Sequence, residues 1–112
     1  MKLSDEKILR GLLSLYLLRE MCIKPRYGYE LSREITEKIG VGLPKGTIYV
    51  LLKNLKSKGY IENDASTGDG EQKTVIYRIT EKGHIFVKSH YQALRLARGI
   101  IDDILLTIDN NL

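Results

Sequence analysis

The sequence has 112 residues, 43% of them hydrophobic, and a formal net charge of +4, which suits one folded domain with an appended element and favours an anionic partner. A single cysteine, Cys22, excludes an internal disulfide framework, fits a reducing cytoplasm and reads as a small buried apolar residue. No run approaches the roughly 20 apolar residues of a membrane span, so the reading is a cytoplasmic protein with no membrane partner.

A first helix is predicted from Ser4, whose hydroxyl suits an N-cap and is followed by Asp5 and Glu6 at the positive end of the helix dipole. The apolar run from Ile8 to Leu18 is not a signal peptide, because those acids precede it, Arg10 interrupts it and no small-residue cleavage site follows. Ile8, Leu9, Leu12, Leu13, Tyr16 and Leu17, widened by Leu15 and Leu18, cover most of the circumference and predict a helix set deep in the fold. Pro25 ends it. Tyr27, Gly28 and Tyr29 lead into a second helix, where Leu31, Ile35 and Ile39 recur every fourth residue until Gly40.

The stretch Pro44 to Lys58, closed by Gly59, predicts a third helix with two unlike faces. Ile48, Leu51, Leu52 and Leu55 fall on one side and suit a core. Lys45, Tyr49, Lys53 and Lys56 follow one another along the other, with Asn54 and Lys58 nearby and no acidic residue in the run. Such a face fits either a polyanion or plain solvent, and on this stretch alone the two readings weigh about equally. Two amphipathic helices joined by the short link from Gly40 to Leu43 match a helix-turn-helix, with the basic helix as its second member.

Beyond Gly59 the period changes to that of strands, over Tyr60 to Asn63 and Val75 to Ile79, joined by a turn-rich loop holding Gly68 and Gly70. A hairpin after a helix-turn-helix makes a winged helix. In the wing, Asp64, Asp69 and Glu71 oppose phosphate, while Lys73 and Arg78 favour it. Thr80 then caps a long last helix that Gly83 costs about 1 kcal/mol in propensity. Its seam of Val87, His90, Leu94, Ala97, Ile101, Ile104 and Ile108, broadened by Ile100 and Leu105, alternates spacings of three and four. A stripe that long exceeds what a small domain can cover, so a homodimer through this helix is expected in preference to a helix folded back on its own domain. The fold class is therefore α+β, mainly α, with a winged helix over residues 1–82 and a dimerisation helix over residues 83–112.

On a winged helix these side chains acquire roles. Lys45 and the free amides at the start of the basic helix suit phosphate, and Gly46 permits close approach or is simply tolerated there. Thr47, Tyr49 and Asn54 are candidates for base edges or the sugar-phosphate chain, and Lys53 and Lys56 for neutralising phosphate. Tyr49 has a second reading, packed on the wing. Tyr29 either reaches phosphate or packs. Catalysis and metal binding are not expected: His84 and His90 are six residues apart rather than four, paired cysteines are absent, and the acidic loop lacks calcium-ligand spacing. No cofactor is implied.

The order GYEL, then GTIYVLLKNLKSKGYIE, a glycine-containing loop, YRITEKG and a long helix resembles the PadR family of transcriptional regulators over nearly the whole chain. The resemblance implies a winged-helix homodimer that binds double-stranded DNA at palindromic promoter sites, usually as a repressor, and a single helix after the wing places the chain with the shorter branch. It also allows a flat aromatic or drug-like effector between subunits, with Tyr16, Phe86 and Tyr91 as pocket walls, although core packing explains these three equally well. Two departures stand out. Val50 occupies a position where the family often has proline, and the wing reads Asp69-Gly70-Glu71-Gln72-Lys73 where the family is usually basic; Lys73 is kept as a phosphate contact. The rival reading is a winged helix that contacts protein rather than DNA.

Overall fold

Helix α1 (Lys7–Ile23) packs against α3 (Thr47–Ser57), as does α2 (Gly28–Ile39), and the buried residues of α1 run from Leu13 onward. The computed structural model describes residues 7–39, 43–44, 46–67 and 74–112. The expected N-cap at Ser4 with Asp5 and Glu6, the stop at Gly40, Lys45, and the wing tip from Gly68 to Lys73 lie outside the described residues. Leu13, Leu17, Leu18 and Met21 of α1 meet Leu31 and Ile35 of α2, and all four apolar residues predicted for the basic helix, Ile48, Leu51, Leu52 and Leu55, are buried with them. Each such side chain contributes about 1.5–3 kcal/mol when taken from water.

The N-terminal half of α1 behaves otherwise than expected. Ile8 is 66% exposed and Leu12 is also open, because both line open clefts rather than the packed core. Cys22 is exposed as well, not buried; it lies one residue past the core-facing Met21, with its sulfur 3.8 Å from His84 Nδ1.

The sheet has three antiparallel strands rather than the two expected. Strands β2 (Ile61–Asn63) and β3 (Ile76–Ile79) form the hairpin, with Glu62 opposite Arg78. On the far side of β3 lies β1 (Arg26–Tyr27), which pairs Arg26 with Tyr77 and Tyr27 with Ile76. The short β1 fastens the start of α2 to the wing, and the Gly28 N–H extends the pairing by donating to the Val75 carbonyl at 3.1 Å. Arg26 is 7% exposed and forks to Glu20 of α1 and Glu34 of α2, so one guanidinium joins three elements. Hydrogen bonding to Glu34 and the field of the surrounding carboxylates hold its pKa above the ordinary arginine value despite burial.

Local chemistry sets the ends. Glu30 accepts from the Tyr27 N–H at 3.1 Å, one arm of a capping box at the start of α2. At the end of α3, Gly59 takes φ 81°, and the N–H groups of Gly59 and Tyr60 return to the carbonyls of Lys56 and Leu55, which is the Schellman closure that glycine permits. Thr80 caps α4 (Glu81–Ser89) by accepting from the Gly83 N–H, and donates its own proton to the Gly59 carbonyl.

The terminal stretch, expected as one helix, is two. Helix α4 stops and α5 (Tyr91–Asp109) begins at His90. The Phe86 carbonyl accepts from the Ser89 hydroxyl at 2.7 Å and from His90 Nδ1 at 2.8 Å, while the His90 N–H turns to the Val87 carbonyl. Side chains thus take the acceptor that would have continued the helical ladder. No residue of α5 is buried, and no helix among the described residues is long and apolar enough to cross a membrane.

Candidate nucleic-acid interface

The start of α3 is shaped by Gly46, the residue before its first turn, with φ 93°. A Cβ at Gly46 would meet nothing within 4 Å, so the structural reason for glycine is the left-handed backbone rather than crowding. The Thr47 hydroxyl donates to the Pro44 carbonyl at 2.8 Å, which uses its proton and leaves its oxygen to accept.

A cleft of about 590 Å³ separates this turn from α2. Tyr29, Gly46, Thr47 and Tyr49, four of the predicted contact residues, line it together. Ser32, Arg33 and Thr36 of α2 line it too, and these the sequence reading missed. Their signal was present: Tyr29, Arg33 and Thr36 follow at spacings of four and three, away from the buried Leu31 and Ile35. Glu37 adds one carboxylate to the lining.

Lys53 and Lys56 continue from Tyr49 along α3, about 6 and 10 Å up the axis by helical rise. Both are exposed, as is Arg33, and among the described residues none of the three has a carboxylate in ion-pair range. Asn54 is placed elsewhere. With Lys58 it lines a second cleft of about 470 Å³, beside Phe86 and His90 rather than beside Tyr49. Arg78, expected to favour phosphate, is paired with Glu62 at 2.6 Å across the hairpin, so its charge is already met. Lys45 and Lys73 lie outside the described residues.

The predicted seam divides as well. Val87 packs against the core of its own domain, and His90 meets the Phe86 ring edge-on at 4.5 Å. Leu94 and Ala97 line the 470 Å³ cleft opposite Ile8, Gly11 and Leu12, while Ile101, Ile104 and Ile108 face outward. The three aromatic residues expected to wall one effector pocket are dispersed. Phe86 stacks on Tyr60 at 4.2 Å, Tyr16 lies between α1 and α2, and Tyr91 is on the surface under Arg95.

The family model described as "Transcriptional regulator PadR-like family" matches residues 15–89. A relative from Lysinibacillus sphaericus is 34% identical over 100 residues, covering 85% of this chain and 89% of the relative. Among solved structures, that of a proposed transcriptional regulator from Thermoplasma acidophilum is 45% identical, with a TM-score of 0.76, covering 89% of this chain and 96% of its own. The PadR-like transcriptional regulator of Bacillus cereus is 25% identical, with a TM-score of 0.72 over 89% of this chain and 97% of that one.

Proposed function

The chain belongs to the PadR-like family of transcriptional regulators, and from that premise we propose that it acts in the cytoplasm as a homodimeric repressor that binds an inverted repeat in double-stranded DNA through α3. The observation that carries the reading is the exposed pair Lys53 and Lys56, which among the described residues have no carboxylate in ion-pair range and continue along α3 from Tyr49, in the lining of the cleft that also holds Tyr29, Arg33 and Thr47. A helix with its apolar face anchored in the core holds this stripe rigidly. Entry of that helix into the major groove sets Lys53 and Lys56 against phosphates, and Thr47 and Tyr49 near base edges. Arg33 and Tyr29 reach the adjoining backbone from α2. Gly46 keeps the first turn of α3 in the geometry that presents these groups. Lys45 and Lys73 are kept as further phosphate contacts on the sequence argument alone.

Pairing of two copies supplies the repeat. Leu94, Ala97, Ile101, Ile104 and Ile108 of one α5, together with Ile8 and Gly11 on the α5-facing side of α1, form an apolar surface of the kind that marks an interface. Val87 and His90 sit at its inner end. Two such copies set their α3 helices in successive major grooves about 34 Å apart. The chemistry is recognition and neutralisation only, with no catalytic step and no cofactor. Titration of a duplex carrying the regulated promoter at several salt concentrations tests the reading: Lys53→Ala is expected to reduce the slope of log affinity against log salt by about one, and an unchanged slope removes Lys53 from the interface.

A further inference from the structure

On the side of α1 away from the 470 Å³ cleft, a third cleft of about 440 Å³ runs between α1 and α2. Leu9, Leu12 and Leu13 form one wall, and Ile35 and Ile39 the other. Two polar side chains, Tyr16 and Lys38, share this lining. Lys38 donates to the Tyr16 hydroxyl, and its ammonium lies 4.8 Å from the centre of that ring. The guanidinium of Arg19, which also pairs with Glu20, lies 5.5 Å from the same ring. Among the described residues no carboxylate is within ion-pair range of Lys38; Glu34, one turn before it, is turned to Arg26.

An aliphatic channel with one ammonium and one phenol has a definite complement. We infer that this cleft binds a medium-chain aliphatic carboxylate, its chain between the leucines and isoleucines and its head group on Lys38 and Tyr16. Lys38 keeps two N–H donors beyond the one given to Tyr16, and Tyr16, which accepts from Lys38, keeps its own proton to donate. A carboxylate takes both. The volume falls within the range of about 300–1,000 Å³ usual for small-molecule sites. Inorganic phosphate would leave the five apolar side chains of the two walls uncovered, and a cationic amphiphile would set like charge against Lys38 and Arg19.

Titration of the isotopically labelled full-length protein with sodium hexanoate, octanoate and decanoate, each below its micellar concentration and followed by methyl NMR, tests the assignment. Saturable shifts are expected at Leu9, Leu13, Ile35 and Ile39, with affinity rising about tenfold per two added carbons. Lys38→Gln, at an exposed position, is expected to weaken decanoate by about tenfold or more, as loss of a charged hydrogen bond predicts, while Tyr16→Phe weakens it less. Equal binding of decyltrimethylammonium, shifts centred on Ile101, Ile104 and Leu105 of α5, or the absence of saturation would each overturn the proposal.

Discussion

A Cβ added to Gly83 would stand 2.2 Å from the carbonyl oxygen of Tyr60 and 2.6 Å from a side-chain carbon of Ile79. The first turn of α4 therefore passes directly beneath the end of α3 and the hairpin, an approach that only glycine allows. Propensity alone makes Gly83→Ala stabilising by about 1 kcal/mol. Because one of the opposing atoms is backbone, the clash is expected to reverse the sign, giving a net loss of about 1–3 kcal/mol. A urea midpoint shifted downward, with the slope unchanged, is the expected reading; an upward shift shows that α4 has room to move.

Acid should loosen the root of the wing. Asp64 Oδ1 accepts from the N–H and the hydroxyl of Ser66, at 2.9 and 2.7 Å, and these bonds hold its carboxyl below the ordinary value of 3.8. With a folded pKa lower than the unfolded one, the contribution to stability is fully present above that ordinary value and disappears as pH falls through the folded value. A carboxyl-carbon NMR titration should place Asp64 lower in the native chain than in urea. Ser66→Ala should raise the native midpoint, and an unchanged midpoint contradicts the assignment.

Arg33 should matter to DNA binding. It lines the same cleft as Thr47 and Tyr49 and supplies a cation from α2. Arg33→Ala is expected to weaken binding to all duplexes by a similar factor and to lower the salt slope by about one. A loss confined to one base position would make it a reader of sequence instead.

The stripe on α5 should hold two copies together. Ile104 is 53% exposed and Ile101 lies one turn before it. Ile101→Asp should convert a dimer to monomers in sedimentation, because unpaired charge in an apolar interface is costly to desolvate. A dimer of undiminished stability moves the interface elsewhere.

What the sequence made legible follows from how local each feature is. The buried face of α3, the cap at Thr80 and the closing Gly59 depend on spacing within one segment, and each is found where periodicity or residue type put it. Strand β1 has two residues, too few for any alternation to register, and forms only because β3 lies beside it. The burial of Arg26 depends on carboxylates from two separate helices, which no local pattern reveals. The break at His90 arises from a contest between imidazole and backbone for the Phe86 carbonyl, in a seam whose apolar spacing continues unbroken through it. At the candidate site, helical spacing aligned Tyr49, Lys53 and Lys56, but the contribution of Arg33 and the placement of Asn54 beside His90 depend on how neighbouring helices cross.

Selection of bound fragments from a pool of random duplexes, using the full chain at moderate salt, tests the central claim most directly. The account predicts enrichment of an inverted repeat whose half-sites are centred about one helical turn, 10–10.5 base pairs, apart, with the enrichment lost in a variant lacking the charges of Lys53 and Lys56. Recovery of fragments with no shared sequence, or of the same repeat by that variant, would contradict it.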